Sequence, residues 1–255
     1  MSESIVVENV SKRFTMRFTR SIKQMSIAAL RRQPLSDTFL AVDDVTFTVR
    51  QGESIGLMGL NGSGKSTLLK LISGVMRPDE GQVLTRGRTA GLIAAGAGFH
   101  PQLTGRENVH LNAAILGMSE AETKRKFDQM VDFADVGKFL ETPVGHYSSG
   151  MSARLGFAVA AFAESDIFLA DEVLAVGDRP FKKKCMKRMQ EIKDEGRTIF
   201  YVSHSPGSVR KMCDRAIVLE KGALGFDGAV DEGIRYLKYD GDDTNPEDDE
   251  LGADI

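Results

Sequence analysis

The sequence predicts an α/β fold: a parallel core sheet with helices packed on it, interrupted by an all-helical subdomain. Three observations predict it. Short apolar runs separated by helical stretches recur along the chain, the pattern of a parallel sheet with crossover helices. One such run leads without a break into a glycine-rich segment, Gly59-Leu60-Asn61-Gly62-Ser63-Gly64-Lys65-Ser66-Thr67. Between about Gly105 and Ala163 the spacing of apolar residues turns helical throughout.

Taken in order, residues 5–10 (IVVENV) read as a short strand, and Pro34 interrupts any helix in the basic segment that follows. Residues 41–49 alternate apolar and polar side chains as a half-buried strand does, and RQGE at 50–53 is a turn. Residues 55–58 (IGLM) suit a buried strand. After the glycine-rich segment, LLKLIS reads as a helix stopped at Gly74. Helical spacing covers 107–116, 119–134 and 153–163. Strand-like runs return at 167–170, 198–202 and 216–219, with a helix over about 180–195 between the first two.

Composition narrows the class. With 255 residues, 42% of them hydrophobic, the chain can bury a sizeable core. Its longest stretches free of both charge and strong polarity, 90–99 and 155–163, fall short of the ~18 apolar residues that span a bilayer. The N-terminal MSESIVVENV lacks the basic-then-apolar order of a signal peptide. Cys185 and Cys213 stand alone, with no metal-ligand spacing and no disulfide framework. The expectation is a soluble, cytosolic chain. Net charge is −3, but residues 240–255 hold eight acidic residues and no basic one. The remainder, 33 basic against 28 acidic residues, has too narrow a basic excess for a nucleic-acid-binding protein.

Residues 59–66 fit G-x-x-x-x-G-K-[ST] between a strand and a helix. Glycines let backbone N–H groups curl round phosphate oxygens at a helix N-terminus, where the dipole favours anions. Lys65 brings a point charge to the β- and γ-phosphates, and Ser66 a hydroxyl for Mg²⁺. Gly59, Asn61, Gly62, Ser63, Gly64 and Thr67 complete the candidate loop. A second apolar strand ends in paired carboxylates, Asp171-Glu172. Asp171 is expected in the magnesium shell, and Glu172 to orient and deprotonate the attacking water.

About twenty residues before those carboxylates stands Tyr147-Ser148-Ser149-Gly150-Met151, which resembles the signature motif of ATP-binding cassette (ABC) proteins. Leu174-Ala175-Val176-Gly177-Asp178 resembles their D-loop, and Val202-Ser203-His204-Ser205 their switch-histidine loop. Together with the phosphate loop and the carboxylate strand, these motifs stand in the family order across most of 5–235. Ser149 and Met151 replace the commonest glycine and glutamine of the signature. AAGAGFHP at 94–101 lacks the family's metal-contacting glutamine. These departures, with AGFHPQLTGREN and the F-x-KKC after the D-loop, resemble the branch that exports lipid-linked O-antigen, teichoic acid or galactan.

The resemblance implies a P-loop NTPase (RecA-like) fold, with an antiparallel β portion beside the parallel sheet and an inserted α-helical subdomain at about 96–165. It implies one ATP-binding domain over 1–239, an N-terminal insertion at about 15–40, and an acidic tail at 240–255 that reads as disordered. It implies ATP and Mg²⁺ as cofactors, and two cassettes joined head to tail. Ser148 and Gly150 of one copy then complete the phosphate cage of the other, with Asp178 nearby and His204 at the γ-phosphate. Phe14, by the match V-S-K-x-F, would stack on adenine, with Phe39 as its rival. Implied partners are two copies of a separate polytopic membrane permease and a lipid-linked glycan, with no nucleic acid, at the cytoplasmic face of the bacterial inner membrane. Within the insertion, Phe18, Ile22, Met25 and Ala29 share one helical face rimmed by Arg17, Arg20, Lys23, Arg31 and Arg32. That stripe fits a helix packed on the cassette, or one lying on the membrane surface.

Overall fold

The computed structural model describes residues 2–17, 36–92, 98–171 and 178–237. Strands β1 (Glu3–Arg17), β2 (Ser36–Arg50) and β4 (Glu80–Thr85) form an antiparallel sheet in the order β2-β1-β4. β1 and β2 pair from Ile5 opposite Val49, through Phe14 opposite Phe39, to Arg17 opposite Ser36. Both strands therefore run into the stretch that the sequence suggests is an insertion. Arg13, Thr15, Thr38, Phe39 and Leu40 are all exposed there, so the apolar–polar alternation of a half-buried strand is missing. The helical stripe at 18–29 and the acidic tail lie outside the described residues.

The main sheet has the order β5-β6-β7-β3-β8-β9. Its members are β3 (Ser54–Met58), β5 (Thr89–Leu92), β6 (Ile167–Ala170), β7 (Thr198–Val202), β8 (Arg215–Glu220) and β9 (Ala223–Ala229). Neighbours pair in parallel except β8 and β9, which form an antiparallel hairpin. β3, β6 and β7 are buried along their whole length, which is why they read as unbroken apolar runs. Successive side chains feed two cores. Leu57, Ile167 and Leu169 pack toward the antiparallel sheet and helix α1 (Lys65–Ile72). Met58, Phe168 and Ala170 pack toward the remaining helices.

Those are α2 (Gly105–Ile115), α3 (Glu120–Ala134), α4 (Ser149–Phe162), α5 (Arg179–Asp194), α6 (Pro206–Met212) and α7 (Val230–Tyr236). α2 to α4 are the predicted helical subdomain. α4 begins four residues earlier than its apolar spacing suggests, because Ser148 caps it. β4, β5, β9 and the short helices α6 and α7 were not legible: β4 is largely exposed and carries no buried stripe. Arg88, just before β5, ties the helical unit to the sheet. Its guanidinium donates to both Glu122 oxygens of α3, at 2.8 and 2.7 Å, and the Glu164 N–H donates to the same carboxylate at 2.8 Å. Hydrogen bonding from Arg88 holds the Glu122 carboxyl down at about 2, against the opposing effect of its burial.

Candidate functional site: a phosphate-loop cleft

The sheet topology brings the candidate residues together. β6, β7 and β3 are neighbours, and their C-terminal ends lead to Asp171, to Ser203-His204 and to the glycine-rich loop. In open parallel sheets ligands bind at this edge. A cleft of about 260 Å³ lies there, lined by Phe39, Ala41, residues 61–67, Asp171, Val202 and His204.

Packing dictates the loop's glycines. Gly64, the N-cap of α1, has φ +105°, and a Cβ there would collide with the Ala41 carbonyl oxygen of β2. Gly59 has φ +142°, and its Cβ would run into Leu219 of β8 and Ser63. The loop is braced from outside as well. The Gly222 N–H of the β8–β9 turn donates to the Ser63 carbonyl at 3.0 Å, and the Asp43 N–H of β2 donates to the Gly222 carbonyl at 2.9 Å.

Within this frame Lys65 is buried, 6% exposed, and its ammonium donates to the Gly59 and Leu60 carbonyls at 2.8 and 3.0 Å. The Ser63 hydroxyl is buried with no hydrogen-bond partner among the described residues, so it seeks an acceptor. A glycine N-cap offers no side-chain oxygen to the first N–H groups of α1. Buried ammonium, unmatched hydroxyl and helix N-terminus together fit the phosphates of a nucleotide. Ser66 and Asp171 put a hydroxyl and a carboxylate on the same cleft, hard oxygen donors suited to Mg²⁺ held jointly with phosphate. Among the described residues no group of three or more His, Cys, Asp or Glu could cage a metal unaided. Both cysteines are buried, which pushes their thiols up to about 12 and leaves them poor nucleophiles.

The other predicted residues fall into three groups. His204 lines the cleft, and the Ser203 hydroxyl beside it accepts from the Ser205 N–H at 3.1 Å. Of the two aromatic candidates, Phe39 lines the cleft. Phe14 stacks against Phe39 with centroids 5.7 Å apart and is not a lining residue. Ser148, Gly150 and Asp178 also lie outside the lining. Ser148 is exposed at the N-cap of α4, where its hydroxyl accepts from the Met151 N–H at 3.1 Å. The Asp178 carboxylate pairs with Arg154 of α4 at 2.6 Å. Glu172 and the predicted D-loop residues 174–177 lie outside the described residues. Sequence reading missed the Ala41 carbonyl, which is a main-chain atom and leaves no trace in a motif.

Comparisons with known proteins agree with this geometry. A family model described as "ABC transporter" matches residues 42–175. The chain is 45% identical over 200 residues to an O-antigen export system ATP-binding protein, RfbB, of Klebsiella pneumoniae, covering 78% of this chain and 81% of that one. It is 41% identical over 232 residues to a teichoic acids export ATP-binding protein, TagH, of Bacillus cereus, covering 91% of this chain and 42% of that protein. The fold matches a dimeric ATP-binding cassette, solved in a post-hydrolysis state with ADP and phosphate. The TM-score is 0.70 at 22% identity, covering 89% of this chain and 98% of that one.

Proposed function

The chain belongs to the ABC transporter family, and on that premise we propose that it is the ATP-hydrolysing subunit of an exporter for a lipid-linked cell-surface polysaccharide. The observation that carries this reading is the coincidence of a phosphate-loop cleft with 45% identity to an O-antigen export ATP-binding protein over most of both chains. The polymer is of the O-antigen, teichoic acid or galactan type. Among the described residues no helix is long and apolar enough to cross a membrane. In this reading the path for the polymer belongs to a separate polytopic permease, present in two copies, with this subunit at the cytoplasmic face of the inner membrane. The domain division is part of the proposal: one ATP-binding domain over 1–239, with the helical unit at about 96–165.

ATP is the substrate that provides the bond that is broken, and a Mg²⁺ ion held by Ser66 and Asp171 would supply positive charge against its phosphates. The chain's own residues do the rest. Lys65 exchanges its carbonyl partners on Gly59 and Leu60 for phosphate oxygens, and the α1 N–H groups and Ser63 hydroxyl cradle them. Ser66 and Asp171 would hold the metal, Glu172 takes the proton of the attacking water, and His204 steadies the γ-phosphate. An aromatic ring at the mouth stacks on adenine; the cleft favours Phe39, with Phe14 behind it. Ser148 and Gly150 of a second copy close the cage head to tail, with Asp178 beside them, since in their own chain they stand clear of the cleft.

Tagging the protein in its native cell and solubilising membranes in mild detergent tests the reading. A polytopic membrane protein should co-purify in equal amount, with ATPase activity higher in the complex and a lipid-linked sugar detectable by mass spectrometry. Recovery in the soluble fraction without such a partner contradicts it.

A further inference from the structure

One buried side chain spends all its hydrogen bonds on the turn that leads into α2. Asn108, in the first turn of α2, is 0% exposed, and its amide is occupied on both sides. Its oxygen accepts from the His100 N–H at 2.7 Å. Its nitrogen donates to the carbonyls of His100, Leu103 and Thr104 at 3.0, 2.9 and 3.0 Å. Two amide hydrogens are thus shared among three carbonyls of one turn. Burying an amide costs free energy unless it is matched, and here every match is loop backbone. What Asn108 stabilises is the shape of residues 100–104.

That shape is passed on. The Gly145 N–H donates to the Pro101 carbonyl at 2.8 Å, and the Val144 N–H to the Leu103 carbonyl at 2.9 Å. Thr104 and Pro143 form a β-bridge next to the Val144–Leu103 bond. The Gly105 and Arg106 N–H groups donate to the Thr142 and Leu140 carbonyls at 3.2 and 3.0 Å. The clamped segment then turns into the signature, the Tyr147 N–H donating to the Val144 carbonyl at 2.9 Å. The Tyr147 hydroxyl, bonded to the Phe139 carbonyl at 2.7 Å, occupies the space a Cβ on Gly105 would need. Ser148 follows directly as the N-cap of α4.

We infer that Asn108 is a positioning residue for ATP hydrolysis: by fixing residues 100–104 it sets the clamp to 140–147, and through it the placement of Ser148 and Gly150. The inference rests on the role given to those two residues above. Asn108 is not among the residues that line the phosphate-loop cleft.

The test uses the full-length chain carrying Asn108→Ala or Asn108→Asp, the second keeping the acceptor but losing the three donor bonds. Three quantities are read: hydrogen exchange at the Val144 and Gly145 amides, affinity for a fluorescent ATP analogue, and steady-state ATPase rate. Exchange at both amides should rise about tenfold or more although neither is hydrogen-bonded to Asn108. Nucleotide affinity should stay within about threefold while kcat falls about tenfold or more. Gly145→Ala attacks the same clamp from its other side, since the new Cβ would lie 2.9 Å from the Pro101 oxygen, and should give the same split. Unchanged exchange, a kcat within about twofold of wild type, or affinity lost in step with kcat overturns the inference. If the Asn108 variants do not fold, Gly145→Ala decides by the same criteria. No ATPase activity in the wild-type chain would overturn the functional reading instead, and the exchange result would still decide whether Asn108 holds the clamp.

Discussion

The phosphate-loop cleft and the signature end of α4 are built in opposite ways. The cleft is cut into the core: its lysine is buried, its glycines press against main-chain carbonyls of β2 and β8, and two hydrogen bonds brace it from neighbouring strands. The signature end sits on the helical unit, its Ser148 exposed and capping its own helix. Core construction gives a binding surface that is rigid before any ligand arrives. Surface construction gives an element that can be offered to another molecule. The two halves of one catalytic site, on this account, are the cleft of one copy and the signature of the next.

The largest expected effect breaks the chemistry and leaves both halves standing. Glu172→Gln removes the general base and should lower turnover by ~10²–10⁴-fold, with ATP binding retained. Turnover near wild type in that variant would show that another group takes the proton. Next comes Gly64→Ala, which attacks the rigid half. A Cβ at φ +105° against the Ala41 carbonyl must displace the loop. Strain of roughly 3 kcal/mol predicts nucleotide affinity about a hundredfold weaker, measured by equilibrium binding.

Glu122→Gln loosens the tie between the helical unit and the sheet. It should cost about 2–3 kcal/mol in denaturant unfolding, because Arg88 loses its charged acceptor. The cleft is held by other strands, so nucleotide affinity should not follow. The same pair predicts a pH signature. The Glu122 carboxyl is held at about 2 in the folded chain, below its ordinary 4.5. Its contribution is therefore complete above about pH 4.5 and is lost as pH falls toward 2, so the variant should show a shallower loss of stability across that window. The smallest effect is expected from Ser148→Ala. Losing the cap costs about 1 kcal/mol of α4 stability. A roughly tenfold drop in kcat with unchanged affinity of the isolated chain would mark its second role, toward the other copy.

The same contrast explains what the sequence made legible. β3, β6 and β7 declared themselves because strands buried on both faces must be apolar throughout, and each ends at a residue of the cleft. The phosphate loop was legible because its chemistry demands glycine, lysine and serine at fixed spacing. The far ends of β1 and β2 were not, since exposed residues such as Arg13, Thr15 and Thr38 carry no periodic signal. Nor could the choice between Phe14 and Phe39 be made, because pairing across the hairpin sets the two rings side by side and only the third dimension shows which one meets the cleft. Thr104-Gly105-Arg106-Glu107 did carry a signal, the capping box that starts α2 two residues before the predicted 107. The role of Asn108 beyond it depends on three carbonyls from a turn, which no pattern of side chains encodes.

The claim that one copy's cleft is completed by the other copy's signature is tested most directly by mixing two inactive variants. Lys65→Ala disables the phosphate loop, and Ser148→Arg disables the signature. In a head-to-tail pair the mixture contains one site made of an intact loop and an intact signature. The account predicts that ATPase activity, absent from either variant alone, returns on mixing. A mixture no more active than the sum of its parts would mean that loop and signature act within one chain, and would contradict it.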